Sequence, residues 1–438
     1  MSGDAVSTLI LGGGLAGVST AYHLPKRNHL LVEREGELGG TARSFSVNGF
    51  TFDITGHLLH LHNNYTKKLI PRLLKNRVFT CQRNTWIFSH GTYTRYPFQA
   101  FTYGLPRRVV DECVLGFFER YLEQRPPEKR SKNFREWCFQ VFGDGIARHF
   151  MIPYNEKLYQ TRASNMTTDW CGPFVPTPDL SDVISGALRP GGRQFGYNAT
   201  FLYPKTGGIQ ALASAMGESL SGIRLRVSVA SVDWRRRRAT LSDGTTVGYR
   251  RLVNTIPLPE LLKRMAPLPP AIQKAAGQLK HASIICLNLG VRRAKISDAS
   301  WIYFPEPEFP FYRVGFPMNF TPHVVPRGCS SMYVEIPADQ MRKTGSERAI
   351  LRDVRKGLER AGILRTSDTF AAVQFIPVRY AYVIYDEHRS AALRTIFRFL
   401  SGHGIQSIGR YGAWKYSFME EAILDGKAAA ERIVSGKA

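Results

Sequence analysis

The 438-residue sequence lacks the features that mark several classes of protein. It contains no run of about 20 apolar residues, so no membrane-spanning helix is expected. Its six cysteines are scattered, without a CxxC pair or zinc-ligand spacing, which favours free thiols in a reducing compartment over a disulfide scaffold. The first apolar stretch, Val6–Leu11, is too short for a signal peptide, and no basic segment precedes it. We therefore expect a cytoplasmic protein.

Acidic residues are few: 35 Asp and Glu stand against 59 Lys and Arg, a formal net charge of +24. Such a charge attracts anions. The densest basic run, Arg235-Arg236-Arg237-Arg238, lies between two strand-like segments, where a hairpin turn is expected. The sequence has no nucleic-acid-binding motif. We interpret the charge mainly as a bias toward an anionic small-molecule substrate, with peripheral contact to an anionic membrane as the alternative.

A glycine-rich loop follows the first apolar stretch. Gly12, Gly14 and Gly17 form a G-x-G-x-x-G pattern before a helix-like stretch from Ala16 to Leu24. These glycines permit a tight turn, close approach of the backbone to a pyrophosphate, and packing of the helix on the strand. A second strand ends at Glu33, near the spacing of a carboxylate that binds a ribose. The unit predicts a dinucleotide-binding fold.

Two further glycine segments favour FAD over NAD. Gly39-Gly40-Thr41-Ala42-Arg43 suits a loop that folds over the phosphates of the cofactor. Gly409-Arg410-Tyr411-Gly412 precedes a helix-like stretch, Met419 to Val434, near the C-terminus. Strand-like segments at Ile223 to Val229 and Leu252 to Ile256 indicate one domain that is completed late in the chain.

Eight motifs that occur in a fixed order connect the chain to a known family. They are Gly12-x-Gly14-x-x-Gly17, Asp53-Ile54-Thr55-Gly56-His57, Tyr96-Pro97-Phe98-Gln99, Pro153-Tyr154-Asn155-x-Lys157, Asn198-Ala199-Thr200-Phe201, Gly207-Gly208-Ile209, Phe311-Tyr312-Arg313 and Gly409-Arg410-Tyr411-Gly412. Through them the chain resembles the flavin-dependent UDP-galactopyranose mutases, within the wider group of amine oxidases and protoporphyrinogen oxidases. The resemblance extends almost from end to end.

The resemblance implies an isomerase of cell-surface polysaccharide biosynthesis. Enzymes of this family interconvert the pyranose and furanose forms of a UDP-sugar by covalent catalysis through N5 of reduced FAD. The alternatives are an FAD-dependent oxidoreductase, similar to the amine oxidases, that acts on a small molecule, and a non-catalytic relative that retains FAD. The oligomeric state and the reductant stay open.

The resemblance also assigns site residues. Those implied in catalysis are His57, Arg313 and Asn198. Those implied in substrate binding are Tyr96, Phe98, Gln99, Tyr154, Asn155, Trp301, Tyr303, Arg313, Tyr382 and Tyr416. With the glycine segments, the expected FAD contacts are Gly12, Gly14, Leu15, Ala16, Gly17, Glu33, Arg34, Gly39, Gly40, Thr41, Arg43, Gly56, His57, Val229, Gly409, Arg410 and Met419. Tyr380 and Tyr385 are alternatives to Tyr382, because the local alignment is uncertain by two or three positions.

Histidine spacing raises one further question. His60 and His62 alternate on a strand-like stretch after His57, as metal ligands can. No carboxylate or cysteine completes a ligand set, so we expect no metal.

Three positions depart from the family pattern. Phe174 stands where the family has a second arginine on the diphosphate, Tyr159 stands where a tryptophan is usual, and Thr55 replaces a glycine. The lost phosphate contact corresponds to about 1.5–3 kcal/mol. The residues that could compensate are Arg95, Arg162 and Arg193.

The expected architecture is an α/β fold with a discontinuous Rossmann-like FAD-binding domain at 1–80, 200–270 and 395–438. A helical insert at 100–195 contains helices at Val109 to Glu123 and at Phe134 to Phe142. Residues 81–99 and 271–394 alternate apolar and polar side chains, as an antiparallel-sheet substrate domain would.

Overall fold

The computed structural model describes residues 5–25, 28–123, 131–191 and 199–436. The strands are β1 (Ala5–Leu11), β2 (His29–Glu33), β3 (Ser44–Val47), β4 (Phe50–Asp53), β5 (Val78–Gln82), β6 (Thr85–Ser89), β7 (Thr92–Arg95), β8 (Thr200–Pro204), β9 (Ile223–Leu225), β10 (Val229–Asp233), β11 (Arg238–Leu241), β12 (Thr246–Asn254), β13 (His281–Val291), β14 (Trp301–Tyr303), β15 (Arg313–Gly315), β16 (Ser330–Pro337), β17 (Phe370–Val383) and β18 (Ile405–Ser407). The helices are α1 (Leu15–His23), α2 (Asn64–Leu73), α3 (Arg107–Leu122), α4 (Phe134–Ile146), α5 (Ile152–Tyr159), α6 (Leu180–Leu188), α7 (Gln210–Gly217), α8 (Leu258–Arg264), α9 (Pro270–Gly277), α10 (Asp339–Thr344), α11 (Glu347–Arg360), α12 (Arg389–Gly402), α13 (Gly409–Gly412) and α14 (Met419–Val434). Shorter 3₁₀ turns cover Ala163–Asn165, Gly172–Phe174, Pro317–Asn319 and Pro322–Val324, and a π-helical segment, Ala147–Met151, joins α4 to α5.

The first sheet is a Rossmann-like sheet with β1 at its centre. Its order is β10-β11-β12-β1-β2-β9, and β18 also pairs with β12. Strand β1 runs parallel to both β12 and β2, and its last three residues, from Leu9, are completely buried apolar side chains. Strands buried on both faces read as continuous apolar runs, which is why β1 and β2 were recognisable in the sequence.

The predicted strand from Ile223 to Val229 is two strands. The chain leaves β9 after Leu225 because Arg226 adopts a left-handed backbone with φ +59°. Its N–H donates to the carbonyl oxygen of Glu35, so the segment crosses the ends of the strands before β10 begins. The basic run lies at the β10–β11 hairpin, as predicted: Arg235, Arg236 and Arg237 are in the turn, and Arg238 begins β11.

The second sheet has the order β17-β13-β16-β15-β14-β6-β7. All its neighbours are antiparallel except β14 and β6. One face is an apolar core that includes Leu287, Ile302, Val314 and Val334, packed against side chains of α11 such as Val354. The opposite face carries polar and aromatic side chains.

Helices α3 to α6 form a third layer around a core of Cys113, Phe134, Cys138 and Phe142. Helix α3 packs on α4 where Gly143 has a φ of +72°. A Cβ at Gly143 would overlap the backbone of α3, so only glycine permits this approach.

The predicted α/β class with a Rossmann-like sheet and an antiparallel sheet is confirmed. Helix α14 has the predicted bounds, whereas α3 begins two residues earlier than expected and α4 continues to Ile146. The first sheet takes its strands from the three segments assigned to the FAD-binding domain, while β5 and β8 form a separate two-stranded sheet. The domain limits themselves stay a prediction. None of the helices among the described residues is long and apolar enough to cross a membrane.

Asp53, at the end of β4, connects several of these elements. Its buried carboxylate accepts hydrogen bonds from Oγ of Ser44 (2.6 Å), the hydroxyl of Tyr203 (2.6 Å) and the backbone N–H of Ile209 (3.1 Å). Nδ2 of Asn288, on the second sheet, donates to the carbonyl oxygen of Asp53 at 3.4 Å. Burial raises the pKa of Asp53 to about 6, although the three donors oppose the shift.

We predict that the stability of Asp53→Asn relative to the wild type rises as the pH increases from about 4 to 7. A carboxyl whose pKa is raised in the folded state stabilises below its unfolded pKa and loses that contribution as pH rises through the folded value. Between these pH values the difference in free energy of unfolding between variant and wild type should change by roughly 3 kcal/mol. Urea unfolding at several pH values measures it.

Asp53→Ala is the control, because it removes all three acceptor contacts and should destabilise at every pH. A difference between Asp53→Asn and wild type that does not change with pH would contradict the raised pKa.

Candidate active site

The glycine loop after β1 leaves one of its sides open. Gly12 has a φ of +97°, and a Cβ on Gly17 would overlap the carbonyl oxygen of Gly12. A Cβ on Gly14 would meet only the Cα of Gly40, at 3.9 Å. Helix α1 begins at Leu15, and no described side chain caps its N-terminus. The open amides and the positive end of the helix dipole fit the pyrophosphate of FAD.

Glu33 ends β2 with a buried carboxylate beside this loop. Its Oε2 accepts a hydrogen bond from the N–H of Gly13 (2.6 Å) and its Oε1 from the N–H of Glu35 (2.9 Å). Each carboxylate oxygen can accept a second bond, so the position still suits a ribose hydroxyl. Arg43 lies nearby, 3.2 Å from Glu35 and 12% exposed, whereas Arg34 is 78% exposed. The structure therefore brings Arg43 to the loop and leaves Arg34 in solvent.

Two distant glycine segments close around the first loop. The N–H of Gly39 donates to the carbonyl oxygen of Gly13 at 2.7 Å, and Gly39 forms a β-bridge with Gly14. Gly409 has a φ of +77° and lies so close to α1 that its Cβ would be 2.7 Å from that of Ala16. The three segments that predicted FAD from the sequence thus form one cradle.

The other expected FAD contacts lie around this cradle. Leu15 and Met419 share a buried apolar cluster, Val229 is buried at the start of β10, and Thr41 is half-buried after the glycine pair.

His57 follows β4 in the loop that Asp53 anchors. Its Nδ1 is buried and has no hydrogen-bond partner among the described residues. Burial lowers the pKa of His57 to about 4; the nearby backbone of Ile54 opposes this shift, and Arg410 and Arg313 reinforce it. The ring is therefore neutral at pH 7, and its buried nitrogen is available to a bound cofactor or substrate.

Gly56 lies against protein in this structure. A Cβ on Gly56 would overlap the hydroxyl of Tyr333, and a Cβ on Gly315 would overlap the ring of the same tyrosine. Tyr333 therefore lies between the His57 loop and the second sheet. Its ring explains why residue 56 is a glycine; a contact of Gly56 with the cofactor stays a prediction.

The polar face of the second sheet lies beneath this loop in two cross-strand rows. In one row Trp301, Gly315, Tyr333, Asn288 and Gln374 are successive neighbours. Residues that pair directly across strands point to the same face. This row therefore continues from Trp301 to the asparagine that contacts the backbone of the His57 loop.

The other row consists of Tyr303, Arg313, Glu335, Cys286 and Ile376. Nη2 of Arg313 lies 2.5 Å from Oε1 of Glu335, a carboxylate with no exposed surface. Nε of Arg313 and Oε2 of Glu335 are both buried without a partner among the described residues. A charge-assisted pair of this kind holds the guanidinium in one orientation and partly neutralises it.

Tyrosines surround Arg313. The hydroxyl of Tyr382 lies 3.3 Å from its Nη2, and Tyr303 contacts both Tyr96 and Tyr154, with ring centroids 5.5 and 5.1 Å apart. Burial raises the pKa of Tyr154 and of Tyr382, so both hydroxyls stay protonated donors.

Tyr416 joins the same group through Arg410. The guanidinium of Arg410 lies 5.6 Å from the ring centre of Tyr382 and 5.2 Å from that of Tyr416. Its nitrogens donate to the carbonyl oxygens of Ser417 (2.6 Å) and Ala381 (3.1 Å). Arg410 therefore lies between the tyrosines, and its predicted contact with FAD stays a prediction.

Four predicted substrate residues lie behind the tyrosines. Phe98 is completely buried and stacks on Phe150, which stacks on Tyr154. Gln99 donates to the carbonyl oxygen of Pro176, and Asn155 donates to that of Met151, one turn earlier. Trp301 is buried with its Nε1 unpartnered among the described residues. Asn198 and Arg193 lie outside the described residues.

The departures from the family pattern have distinct surroundings. Phe174 packs on Tyr416 and Phe418, with centroids 5.0 and 5.3 Å apart, so this side of the site is apolar. Tyr159 packs between Tyr382 and Trp170, at 5.9 and 5.4 Å. Both aromatic side chains line the tyrosine group.

Two of the three arginines expected to compensate for Phe174 lie away from the candidate site. Arg95 pairs with Trp86 on the apolar face of the second sheet, opposite Tyr303. Arg162 is exposed before a 3₁₀ turn.

The strand-like stretch expected at His60 and His62 is also wrong, because residues 57–63 form a loop with a single bridge at Leu59.

The sequence profile of the family described as flavin containing amine oxidoreductase matches residues 15–434. The chain belongs to this family. Membership implies FAD as the cofactor, in agreement with the open glycine cradle and the unpartnered Nδ1 of His57.

Solved structures of flavoenzymes resemble this flavoprotein along their whole length. Reduced UDP-galactopyranose mutase superposes with a TM-score of 0.90 at 26% identity, covering 98% of this chain and 94% of that chain. Putrescine oxidase bound to putrescine superposes with a TM-score of 0.65 at 16% identity, covering 98% and 99%, which shows the fold alone.

A curated relative matches a shorter part of the flavoprotein. It is an uncharacterized protein in the nifH2 3' region of Methanothermococcus thermolithotrophicus, 35% identical over 69 residues. The match spans 16% of this chain and 65% of the relative.

The structure of the flavoprotein adds site residues that the sequence did not single out. Glu335 and Tyr333 share the polar face, and Arg83 lies 5.1 Å from the ring centre of Tyr96. The sequence does contain a signal for two of them: Tyr333 and Glu335 alternate with Met332, Val334 and Ile336 in β16. No group of three described His, Cys, Asp or Glu side chains is arranged to hold a metal.

Thr55, beside His57, has a φ of +64°, a left-handed conformation that disfavours β-branched residues. We predict that Thr55→Gly raises the free energy of unfolding by roughly 0.5–1 kcal/mol. The relief of strain, about 1–2 kcal/mol, exceeds the added entropy of glycine in the unfolded chain. Urea unfolding measures the change.

Thr55→Val is the matched control, because valine has the same shape and keeps the β-branch. A Gly variant no more stable than the Val variant would show that the left-handed backbone is not strained.

Proposed function

We propose that this flavoprotein interconverts the pyranose and furanose forms of a UDP-sugar and uses reduced FAD. The observation that carries the proposal is the convergence of Tyr96, Tyr154, Tyr303 and Tyr382 around Arg313. The likeness of the whole chain to reduced UDP-galactopyranose mutase supports it.

A diphosphate needs cations and hydrogen-bond donors. Arg313 supplies a guanidinium held by Glu335, and the hydroxyl of Tyr382 lies beside it. Tyr416, whose ring packs on Arg410, offers a further hydroxyl. Arg83 is the candidate for the second cation, because its guanidinium lies on the ring of Tyr96. This ring contacts Tyr303, the cross-strand neighbour of Arg313.

The protein's own part in the chemistry is orientation and control of charge. When bound in its reduced form, FAD supplies the nucleophile of this reaction. His57 is neutral at pH 7, so it offers a hydrogen bond without adding charge. The buried aromatic walls exclude water, which strengthens the contacts between Arg313 and an anionic leaving group.

An FAD-dependent oxidoreductase that acts on a small molecule is the second candidate, and two observations favour it. Phe174 and Phe418 form an apolar wall beside Tyr416. Glu335 partly neutralises Arg313, which lowers the attraction for a dianion. A neutral substrate would suit these surroundings.

We predict that purified protein carries FAD and that its dithionite-reduced form converts UDP-galactofuranose to UDP-galactopyranose. Separation of the two sugar nucleotides by chromatography measures the conversion. Oxidised protein is the control and should be inert, since the reaction needs the reduced cofactor. An inert reduced enzyme whose oxidised form consumes oxygen with a small amine would replace the mutase proposal with the oxidoreductase.

We predict that Arg83→Ala weakens UDP binding about tenfold and Arg313→Ala by about ten- to a hundredfold. A charge-assisted contact is worth about 1.5–3 kcal/mol. Replacement of the buried Arg313 should lose all of this free energy, and replacement of Arg83 should lose a part of it. Titration of the flavin absorbance with UDP measures the affinities.

Arg95→Ala is the matched control, because Arg95 lies 5.0 Å from the ring centre of Trp86 in the same kind of contact. It should change UDP affinity less than twofold. Equal effects of the Arg83 and Arg95 substitutions would remove Arg83 from the site.

A further inference from the structure

A basic face lies on the Rossmann-like sheet, made by the β10–β11 hairpin with helices α8, α9 and α12. The ring of Trp234 in the hairpin packs on Phe399 and His403 at the end of α12, with centroids 4.9 and 4.5 Å apart. Its Nε1 donates to the carbonyl oxygen of Pro267, between α8 and α9, at 3.4 Å. These contacts make the four elements one continuous surface.

The basic face holds a disproportionate share of the charge. Residues 229–280 and 389–402 contain 13 Lys and Arg but only 3 Asp and Glu, so these 66 residues carry +10 of the net +24. Ten of the basic side chains are exposed: Arg235, Arg236, Arg237, Arg238, Arg250, Lys263, Lys274, Lys280, Arg394 and Arg398.

The three acidic side chains of this face are bound within the protein. Glu260 pairs with Arg264 at 2.7 Å and accepts a hydrogen bond from the hydroxyl of Tyr380. Asp233 accepts hydrogen bonds from the backbone of the hairpin turn, and Asp243 from Thr245. Asp233 and Asp243 remain 44% and 38% exposed and Lys280 pairs with Asp386 at 2.9 Å, but the exposed basic side chains outnumber these carboxylates, so the face is positive.

An apolar groove of about 310 Å³ opens on the same face between α8 and α9. Its walls include Pro259, Leu262, Ala266, Leu268 and Ala276, and Lys263 stands at its edge. An apolar recess on the same face as exposed basic side chains matches a surface that is anionic outside and apolar beneath.

We infer that this basic face docks on a membrane that contains anionic phospholipids. The arginines of the hairpin and the lysines of α8 and α9 contact the phosphates, and the groove accepts apolar lipid atoms. A nucleic acid would use the charge but not the groove. The face borders the candidate site, because Tyr380 contacts Glu260 on it and Tyr382, on the same strand, contacts Arg313.

The experiment is co-sedimentation of the FAD-loaded protein with phosphatidylcholine vesicles that contain or lack 30% phosphatidylglycerol. Binding is expected only to the anionic vesicles, with loss of binding as the salt concentration rises to about 0.5 M. Replacement of Arg235, Arg236, Arg237 and Arg238 by Gln should lower the partition coefficient at least about tenfold.

The matched control replaces Arg342, Arg348, Arg352 and Lys356 by Gln, which removes the same charge from exposed positions on α10 and α11. It should change the partition coefficient less than threefold. An equal loss in both variants would show attraction by net charge alone and overturn a defined docking face. Preferential binding of duplex DNA, lost in the hairpin variant, would replace the membrane with a nucleic acid.

Gly277 tests the groove separately. A Cβ at this lining residue would meet no atom within 4 Å, and its φ is not left-handed, so a side chain fits without strain. Gly277→Glu adds a carboxylate to the groove and should weaken vesicle binding several-fold, whereas Gly277→Gln, of the same size, should bind like wild type. Binding by both variants that equals that of the wild type would overturn the role of the groove. An unchanged flavin spectrum in every variant shows that the fold is intact.

Discussion

The buried carboxylate of Asp53 is the interaction on which the site depends. It accepts bonds from Ser44, Tyr203 and the backbone of Ile209, and its own carbonyl group accepts one from Asn288 on the second sheet. A carboxylate removed from water is stable only when donors surround it, so these elements have one arrangement that satisfies it. The His57 loop begins at this residue, and its position over the second sheet follows from these bonds.

The His57 loop packs on the polar face of the second sheet, where buried charged side chains need partners. Glu335 has no exposed surface, and a buried charge requires a partner, which is the cross-strand Arg313. The pairing fixes the guanidinium at the middle of the tyrosine group and limits its net charge. Gly56 and Gly315 then leave room for the ring of Tyr333 between loop and sheet. The pairing with Glu335 therefore sets the orientation of Arg313, whereas the ring of Tyr333 sets the separation between the His57 loop and the sheet.

The parts that were predictable from the sequence have local signals. The glycine loop, Glu33 and helix α14 lie in short segments whose residue types and spacing reflect their geometry. The polar face is different, since Tyr303, Arg313 and Glu335 meet through strand register, which no single segment encodes. Arg95 illustrates the same limit: it is close in sequence to the Tyr-Pro-Phe-Gln motif, yet strand alternation turns it to the opposite face.

The balance of charge around Arg313 separates the two candidate functions. Arg410 donates to backbone carbonyl groups, but these contacts leave its positive charge uncompensated by any described acid. With Arg313 offset by Glu335, the charge of Arg410 remains beside Tyr382 and Tyr416. This remaining positive charge favours an anionic group such as a diphosphate over a cationic amine. Under the proposed mutase function, the apolar wall at Phe174 is expected to border the sugar or base, where charge is not required.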